Sequence, residues 1–351
     1  MNFASDNTGP AHPDVIAAIT AANEGYAMPY GADDAMARVR QSIRDLFEAP
    51  EAAVYLVSTG TAANALALSV MVQPWQSIFC HRIAHIEEDE CGAPEFYANG
   101  AKLALVEGEG GKMTPDGLAQ TIAHTGDKGV HGMQRGPVSL TNITEVGTAY
   151  SLSEIKALSD VAKSYDLPVH LDGARFANAC AALGCRPADM TWKAGVDAVS
   201  FGGTKNGCMG VEAVILFDPK KAWEFELRRK RGAHLWSKHR FLSAQMEAYT
   251  RDDLWLRLAQ SANARMAELR AGLAQIEGVH IAHEPAGNML FAHLPRAAHK
   301  RAFAAGAQYY LFPFNATLEG PEDELILCRL VTDWSCSQSK VQALLDCFKA
   351  G

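Results

Sequence analysis

Several things are missing from this 351-residue sequence, and each absence removes a class of function. No uninterrupted apolar run approaches the roughly 20 residues that a membrane span needs. The opening, "MNFASDNTGPAHPD", has neither the basic stretch nor the apolar core of an export signal, so a cytoplasmic protein without membrane partners is expected. The eight cysteines include no CxxC pair and no zinc-ligand spacing, which points to buried free thiols in a reducing compartment and to no metal. Charge of one sign is nowhere concentrated: 32 basic and 40 acidic side chains leave a formal charge of -8, which offers no electrostatic footprint for nucleic acid. There is no internal repeat and no low-complexity segment.

What is present is an ordinary globular composition, 48% hydrophobic, with a regular alternation of short β-rich runs and helical stretches. The runs "VYLVS", "SIFCH", "KLALVE", "PVSLTN", "PVHLD", "DAVSF" and "EAVILFD" are separated by helical patterns, one near 86–98 and others in "TAANALALSVMV", "SLSEIKALSDVAKSYD" and "ARFANACAAL". Such alternation predicts an α/β fold with a mainly parallel, seven-stranded sheet covered by helices on both faces. Residues 1–50 are expected to form an N-terminal arm with helices over 14–22 and 34–47, packing elsewhere. Residues 51–240 are expected to form the large domain. Residues 241–351 are expected to form a linking helix over 241–276 and a small C-terminal α/β domain, ending in the helix "SQSKVQALLDCFKA".

In open parallel sheets, sites gather at the carboxyl ends of strands. "PVHLDGARFANA" places Asp172 at such an end, where an unpartnered carboxylate would be costly. "AVSFGGTKNGCMG" places Lys205 after another strand, among small residues that let a planar ligand approach the backbone. Alone, that lysine is most simply a surface residue in a glycine turn. Together the pair suits pyridoxal phosphate, whose aldehyde condenses with a lysine amine and whose pyridine nitrogen needs a carboxylate to stay protonated. A third piece is "VSTGTAANALAL", a strand, a small-residue turn and a helix start, where the backbone N–H groups of Gly60, Thr61 and Ala62 suit a phosphate. Two other stretches are set aside. "HIEEDE" lacks a recognised metal spacing, and "GEGGKMT" lacks the ending of a phosphate loop.

These residues resemble the fold-type I pyridoxal-phosphate enzymes, and specifically the L-threonine aldolase family in its low-specificity bacterial branch. The blocks "SDNTG", "PYGADD", "STGTAAN", "AHIEEDECGAPEF", "VHLDGARFANA", "GGTKNG" and "RLVTDWS" stand in family order and span essentially the whole chain. The resemblance implies that Lys205 bears the cofactor, that Asp172 faces its ring nitrogen and that Gly60, Thr61 and Ala62 hold its phosphate. It also implies that His85 stacks on the ring, that Arg175 contacts the cofactor, and that Ser5, Arg175 and Arg329 bind the substrate carboxylate, a task suited to guanidinium forks. Tyr30, reaching over from a neighbouring subunit, and His131 are implied as further active-site residues, with His85 or His131 as the base. Arg231 or Arg240 is implied as a phosphate contact from the partner. The implied activity is retro-aldol cleavage of L-β-hydroxy-α-amino acids to glycine and an aldehyde, by a homodimer or homotetramer with active sites at subunit interfaces. The alternatives are another enzyme of this fold (serine hydroxymethyltransferase-like, an aminotransferase or a β-eliminating lyase) and a non-catalytic protein that binds the cofactor.

Overall fold

The computed structural model describes residues 1–349. Its larger sheet contains β1 (Ala53–Val57), β2 (Gln76–His81), β3 (Lys102–Val106), β4 (Gln134–Thr141), β5 (Val169–Gly173), β6 (Ala198–Gly202) and β7 (Glu212–Leu216). They lie in the order β1-β7-β6-β5-β4-β2-β3. Only β7 runs against the others; it is antiparallel to both β1 and β6, while β2 to β6 pair in parallel. The seven-stranded, mainly parallel sheet expected from the alternation is therefore present. Strands β1, β5, β6 and β7 are buried along their whole length, as in sheets covered on both faces, which is why "AVYLV" and "EAVIL" are apolar almost without interruption.

A second sheet is formed by β8 (His280–Ile281), β9 (Met289–Pro295), β10 (Tyr310–Phe312) and β11 (Leu325–Val331), in the antiparallel order β10-β11-β9-β8. The helices Arg296–Ala304 and Gln338–Lys349 share its core through Ala298, Ala302, Leu344 and Phe348. Ala350, the expected last residue of the final helix, lies outside the described residues.

The first 50 residues do not stand apart from the rest of the chain. Phe3 is buried in the small domain's core and its backbone bonds both Gln308 and Val331. In the helix Asp34–Leu46, Met36, Val39 and Ile43 form a stripe at helical spacing that needs a cover. The helix Arg240–Thr250 of the same chain supplies it, and all three residues join the main core.

Two helices expected to be continuous are broken, each for a local reason. The linking helix divides into Arg240–Thr250 and Leu254–Leu273, because Asp252 and Asp253 adopt φ of 50° and 54°, a left-handed conformation that aspartate tolerates better than most residues. The stretch near 86–98 divides into His85–Glu88 and Ala93–Tyr97, separated by Cys91 and Gly92 at φ of 52° and 71°. The second break shapes the active site.

Candidate active site

Strands β1, β5 and β6 all point their carboxyl ends to one side of the sheet, and each delivers one element of a cavity of about 250 Å³. From β1 the chain turns through Ser58 and Thr59 into the helix Gly60–Ser69. From β5 comes Asp172, and from β6 the turn that carries Lys205. The cavity wall joins Gly60, Thr61, His85, Asp172 and Lys205, five of the residues singled out in the sequence. Asn64 and Glu212, which sequence reasoning missed, complete it.

Asp172 is 2% exposed. Its Oδ1 accepts the Ala174 N–H at 2.9 Å and its Oδ2 accepts an Asn64 side-chain N–H at 2.9 Å. Among the described residues no cationic side chain comes within ion-pair distance of it. A buried carboxylate fixed by neutral donors alone is a good counter-ion for a cationic ring brought in by a ligand.

Lys205 is half-buried, and its amine forms no hydrogen bond or ion pair among the described residues. Burial, followed by the nearby Arg175 charge, holds its pKa below the ordinary lysine value and so favours the nucleophilic free amine.

At the helix start, Thr59 acts as N-cap, and its hydroxyl accepts the Ala62 N–H at 3.1 Å. Of the three donors expected to hold a phosphate, Gly60 and Thr61 are therefore free and Ala62 is committed to the cap. A Cβ placed on Gly60 would meet nothing within 4 Å, so this helix start opens directly onto the cavity. Unpartnered lysine amine, buried counter-ion and anion-binding helix start together fit pyridoxal phosphate.

His85 opens the short helix His85–Glu88, and its backbone N–H donates to Glu145 Oε1 at 2.8 Å. Its ring Nδ1 lies 2.9 Å from Glu90 Oε1, an oxygen that also accepts from Asn64 Nδ2 at 2.9 Å. One carboxamide nitrogen thus ties Glu90 to Asp172. The bond to Glu90 raises the His85 pKa, against an opposing effect of burial. Burial pushes Glu90 up, with its bond to His85 pulling it back, and burial beside Asp172 pushes Glu145 up to about 7. Glu90 was missed for a geometric reason. Five positions along a continuous helix put two side chains about 140° apart, and only the end of the helix at Glu88 lets Glu90 fold back onto His85.

Arg175 clasps Asp6 through Nε at 2.7 Å and Nη2 at 3.1 Å. Burial alone would raise the Asp6 carboxyl, but Arg175, Lys205 and Asn288 together hold it below the usual carboxylate range. Arg329 donates to the Ala4 carbonyl at 3.2 Å and lies over the rings of Tyr310 and Phe312, while its Nε is buried without a partner. Burial, then Arg175, lowers its pKa, so the two guanidiniums feel each other's charge. The guanidiniums of Arg175 and Arg329 against the single carboxylate of Asp6 leave local positive charge for an anion. Ser5 caps the turn Asp6–Thr8, its Oγ accepting the Asn7 N–H at 3.2 Å, and Asn7 reaches the cavity wall.

Three expected groups lie elsewhere in the chain. His131 is exposed and sits just before β4, on the amino side of the sheet, whereas the site occupies the carboxyl side, roughly 23 Å further along the strand. Tyr30 is 47% exposed with the Lys230 amine over its ring, and it is absent from the cavity wall of its own chain. Arg240 donates to the Gly25 carbonyl, and Arg231 ends the helix Ala222–Arg231 on the surface.

Comparison with known proteins agrees with this geometry. A model of the family described as beta-eliminating lyase matches residues 2–296. The chain is 44% identical over 313 residues to the low specificity L-threonine aldolase of Pseudomonas aeruginosa, covering 89% of both chains. To that of a Pseudomonas species it is 42% identical over 344 residues, covering 98% of this chain and 96% of the relative. Its structure is similar to that of a threonine aldolase from Leishmania major, with a TM-score of 0.91 at 27% identity and coverage of 99% and 98%. The lysine, the buried aspartate and the open helix start thus stand in a chain that belongs to the beta-eliminating lyase family and, within it, to the low-specificity L-threonine aldolases.

Proposed function

We propose that this protein uses pyridoxal phosphate to cleave L-β-hydroxy-α-amino acids, among them L-threonine, L-allo-threonine and phenylserine, into glycine and an aldehyde. The observation that carries the proposal is the single cavity in which Lys205, Asp172, His85 and the start of the helix Gly60–Ser69 meet. When bound, the cofactor supplies an electron sink for the pair released as the Cα–Cβ bond breaks. The chain's own residues do the rest. Lys205 supplies the amine that anchors the cofactor aldehyde, and Asp172 keeps a proton on the ring nitrogen. Gly60 and Thr61 hold the phosphate. Arg175 and Arg329, with Ser5, grip the substrate carboxylate and so set which bond at Cα is aligned to break.

His85 suits the role of base for the β-hydroxyl. With Nδ1–H donated to Glu90, the lone pair lies on Nε2, and the Glu90 charge stabilises the imidazolium that forms when Nε2 takes the proton. The pairing is the same in logic as the carboxylate that orients a catalytic histidine in hydrolases.

We further infer that the chain works as a homodimer or homotetramer, with Tyr30 completing a neighbouring copy's site. The exposed Tyr26, Met28, Tyr30 and Trp236, grouped around the segment 26–30 and the loop it contacts, support this reading. A role for His131 would likewise need a second copy. A reducing, cytoplasmic setting is supported by the eight cysteines, all unpaired. No helix among the described residues is long and apolar enough to cross a membrane.

The test is to supply L-threonine to the purified protein and measure glycine and acetaldehyde. Equimolar products, lost together with the visible chromophore in Lys205→Ala, are expected. Ammonia and an oxo acid in place of aldehyde would mean β-elimination, and bound cofactor with no turnover of any β-hydroxy amino acid would mean a non-catalytic binder.

A further inference from the structure

Glu212 is a buried carboxyl to which the reaction above gives no task. It is the first residue of β7, the one reversed strand, and its register sets it beside Val57 of β1 and Gly202 of β6. β1 leads into the phosphate turn and β6 into the lysine turn, so Glu212 stands at the seam between them. Its side chain lines the cavity, is only 6% exposed, and accepts the Gly203 N–H through Oε2 at 2.7 Å. A carboxylate there would share a small buried space with a phosphate, and like charges in such a space do not both ionise without cost.

We propose that Glu212 makes binding of the cofactor's phosphate proton-linked: the carboxyl must carry a proton when the anion sits at the start of the helix Gly60–Ser69. The proposal rests on the assignment of this cavity to pyridoxal phosphate.

The surroundings of Glu212 suit such a switch. The Gly203 N–H bonds it, the Thr204 hydroxyl lies beside it, and the Lys205 amine is close by. Tyr249 and Cys208 lie near it, with burial first among the causes that hold both protonated. Ser58 and Thr59 on the β1 side carry no charge, and Asp172 and His85 share the same cavity wall. Among the described residues Glu212 has no ion pair with any arginine or lysine. Burial pushes its pKa up to about 7, with Thr204, Gly203 and Lys205 pulling it back, so the proton is exchangeable near neutrality.

The experiment measures the dissociation constant of pyridoxal phosphate by equilibrium dialysis of the full-length protein, wild type and Glu212→Gln, at several pH values from about 6 to 9. Glutamine keeps an oxygen for the Gly203 N–H and removes the charge, so a merely structural carboxyl would leave the pH dependence unmoved. The ratio of wild-type to variant constants cancels the titration of the phosphate, which both proteins share, and leaves that of Glu212 together with its effect on Lys205. It should be flat below about pH 7 and then rise by up to about tenfold per pH unit. A flat ratio throughout would overturn the proposal. So would a ratio that falls with pH, which would mean that the carboxylate aids binding through Lys205. Should the glutamine variant fail to fold, Glu212→Ala is read in the same way. A wild type that binds no pyridoxal phosphate at any pH would overturn instead the assignment of the cavity.

Discussion

The bond between His85 and Glu90 is the feature of this site most open to a quantitative test. Replacing Glu90 with glutamine removes a charge whose nearest oxygen is 2.9 Å from the imidazole Nδ1, while leaving an oxygen able to accept from both His85 and Asn64. Unit charges about 4 Å apart interact by roughly 4 kcal/mol at an effective dielectric near 20. The His85 side chain is 34% exposed, so solvent screens part of the interaction, and a fall of the His85 pKa toward the ordinary histidine value is expected. The sign follows from the raised pKa. Below about 6.5, the value for an unperturbed histidine, the ion pair adds its full stability, and this is lost as pH rises through the higher folded value.

In Glu90→Gln that pH-dependent increment should vanish, and the acid limb of the kcat/KM profile should move to lower pH, with a lower plateau because the base is weaker. The histidine titration can be followed directly by NMR of ring-labelled protein, and the profile by aldehyde release. An unchanged His85 pKa together with an unchanged acid limb would refute the claim that Glu90 tunes this base.

Two further substitutions probe the frame that holds the site. Asp172→Asn keeps the shape of the side chain but sets an amide N–H against Asn64, or else turns it toward the Ala174 N–H. It should cost about 1–3 kcal/mol of stability and, by weakening protonation of the ring nitrogen by about two pKa units, lower kcat on the order of 100-fold. Near-normal kcat with stability unchanged would count against Asp172 as the counter-ion. Gly202→Ala would bring a Cβ to 2.5 Å from the Ala174 carbonyl oxygen, between the strands that carry Asp172 and Lys205. A loss of roughly 1–3 kcal/mol in urea unfolding is expected, and an unshifted midpoint would show that the backbone there is looser than its spacing implies.

Much of the fold and the centre of the site can be read directly from the chain. Local patterns specify what depends on local physics. Continuous apolar runs such as "AVYLV" require burial on both faces, and their alternation with helical stretches leaves few arrangements besides a parallel sheet. Such a sheet collects whatever follows its strands at one edge, so Asp172, Lys205 and the start of the helix after β1 had to meet. The family resemblance implied roles that spacing alone does not carry, such as the stacking of His85.

Tertiary structure decided the rest, because those contacts depend on side chains far apart in sequence or on breaks in regular structure. Nothing near Arg175 indicates that its guanidinium is clasped by Asp6, 169 residues earlier, since that bond requires the N-terminal turn to fold across the lysine turn. Asn64 could be seen as a helix residue, but not as the single donor joining Glu90 to Asp172. Glu212 begins an apolar strand with no local signal of function, and only the reversed direction of β7 carries it to the functional edge of the sheet. For His131 the sheet decides the matter by direction: the residue precedes its strand, and in a parallel sheet that puts it on the side away from the chemistry. Sequence by itself determined which elements form and which strand ends carry reactive groups. The relative placement of charges, which governs how those groups behave, was settled only when distant parts of the chain packed together.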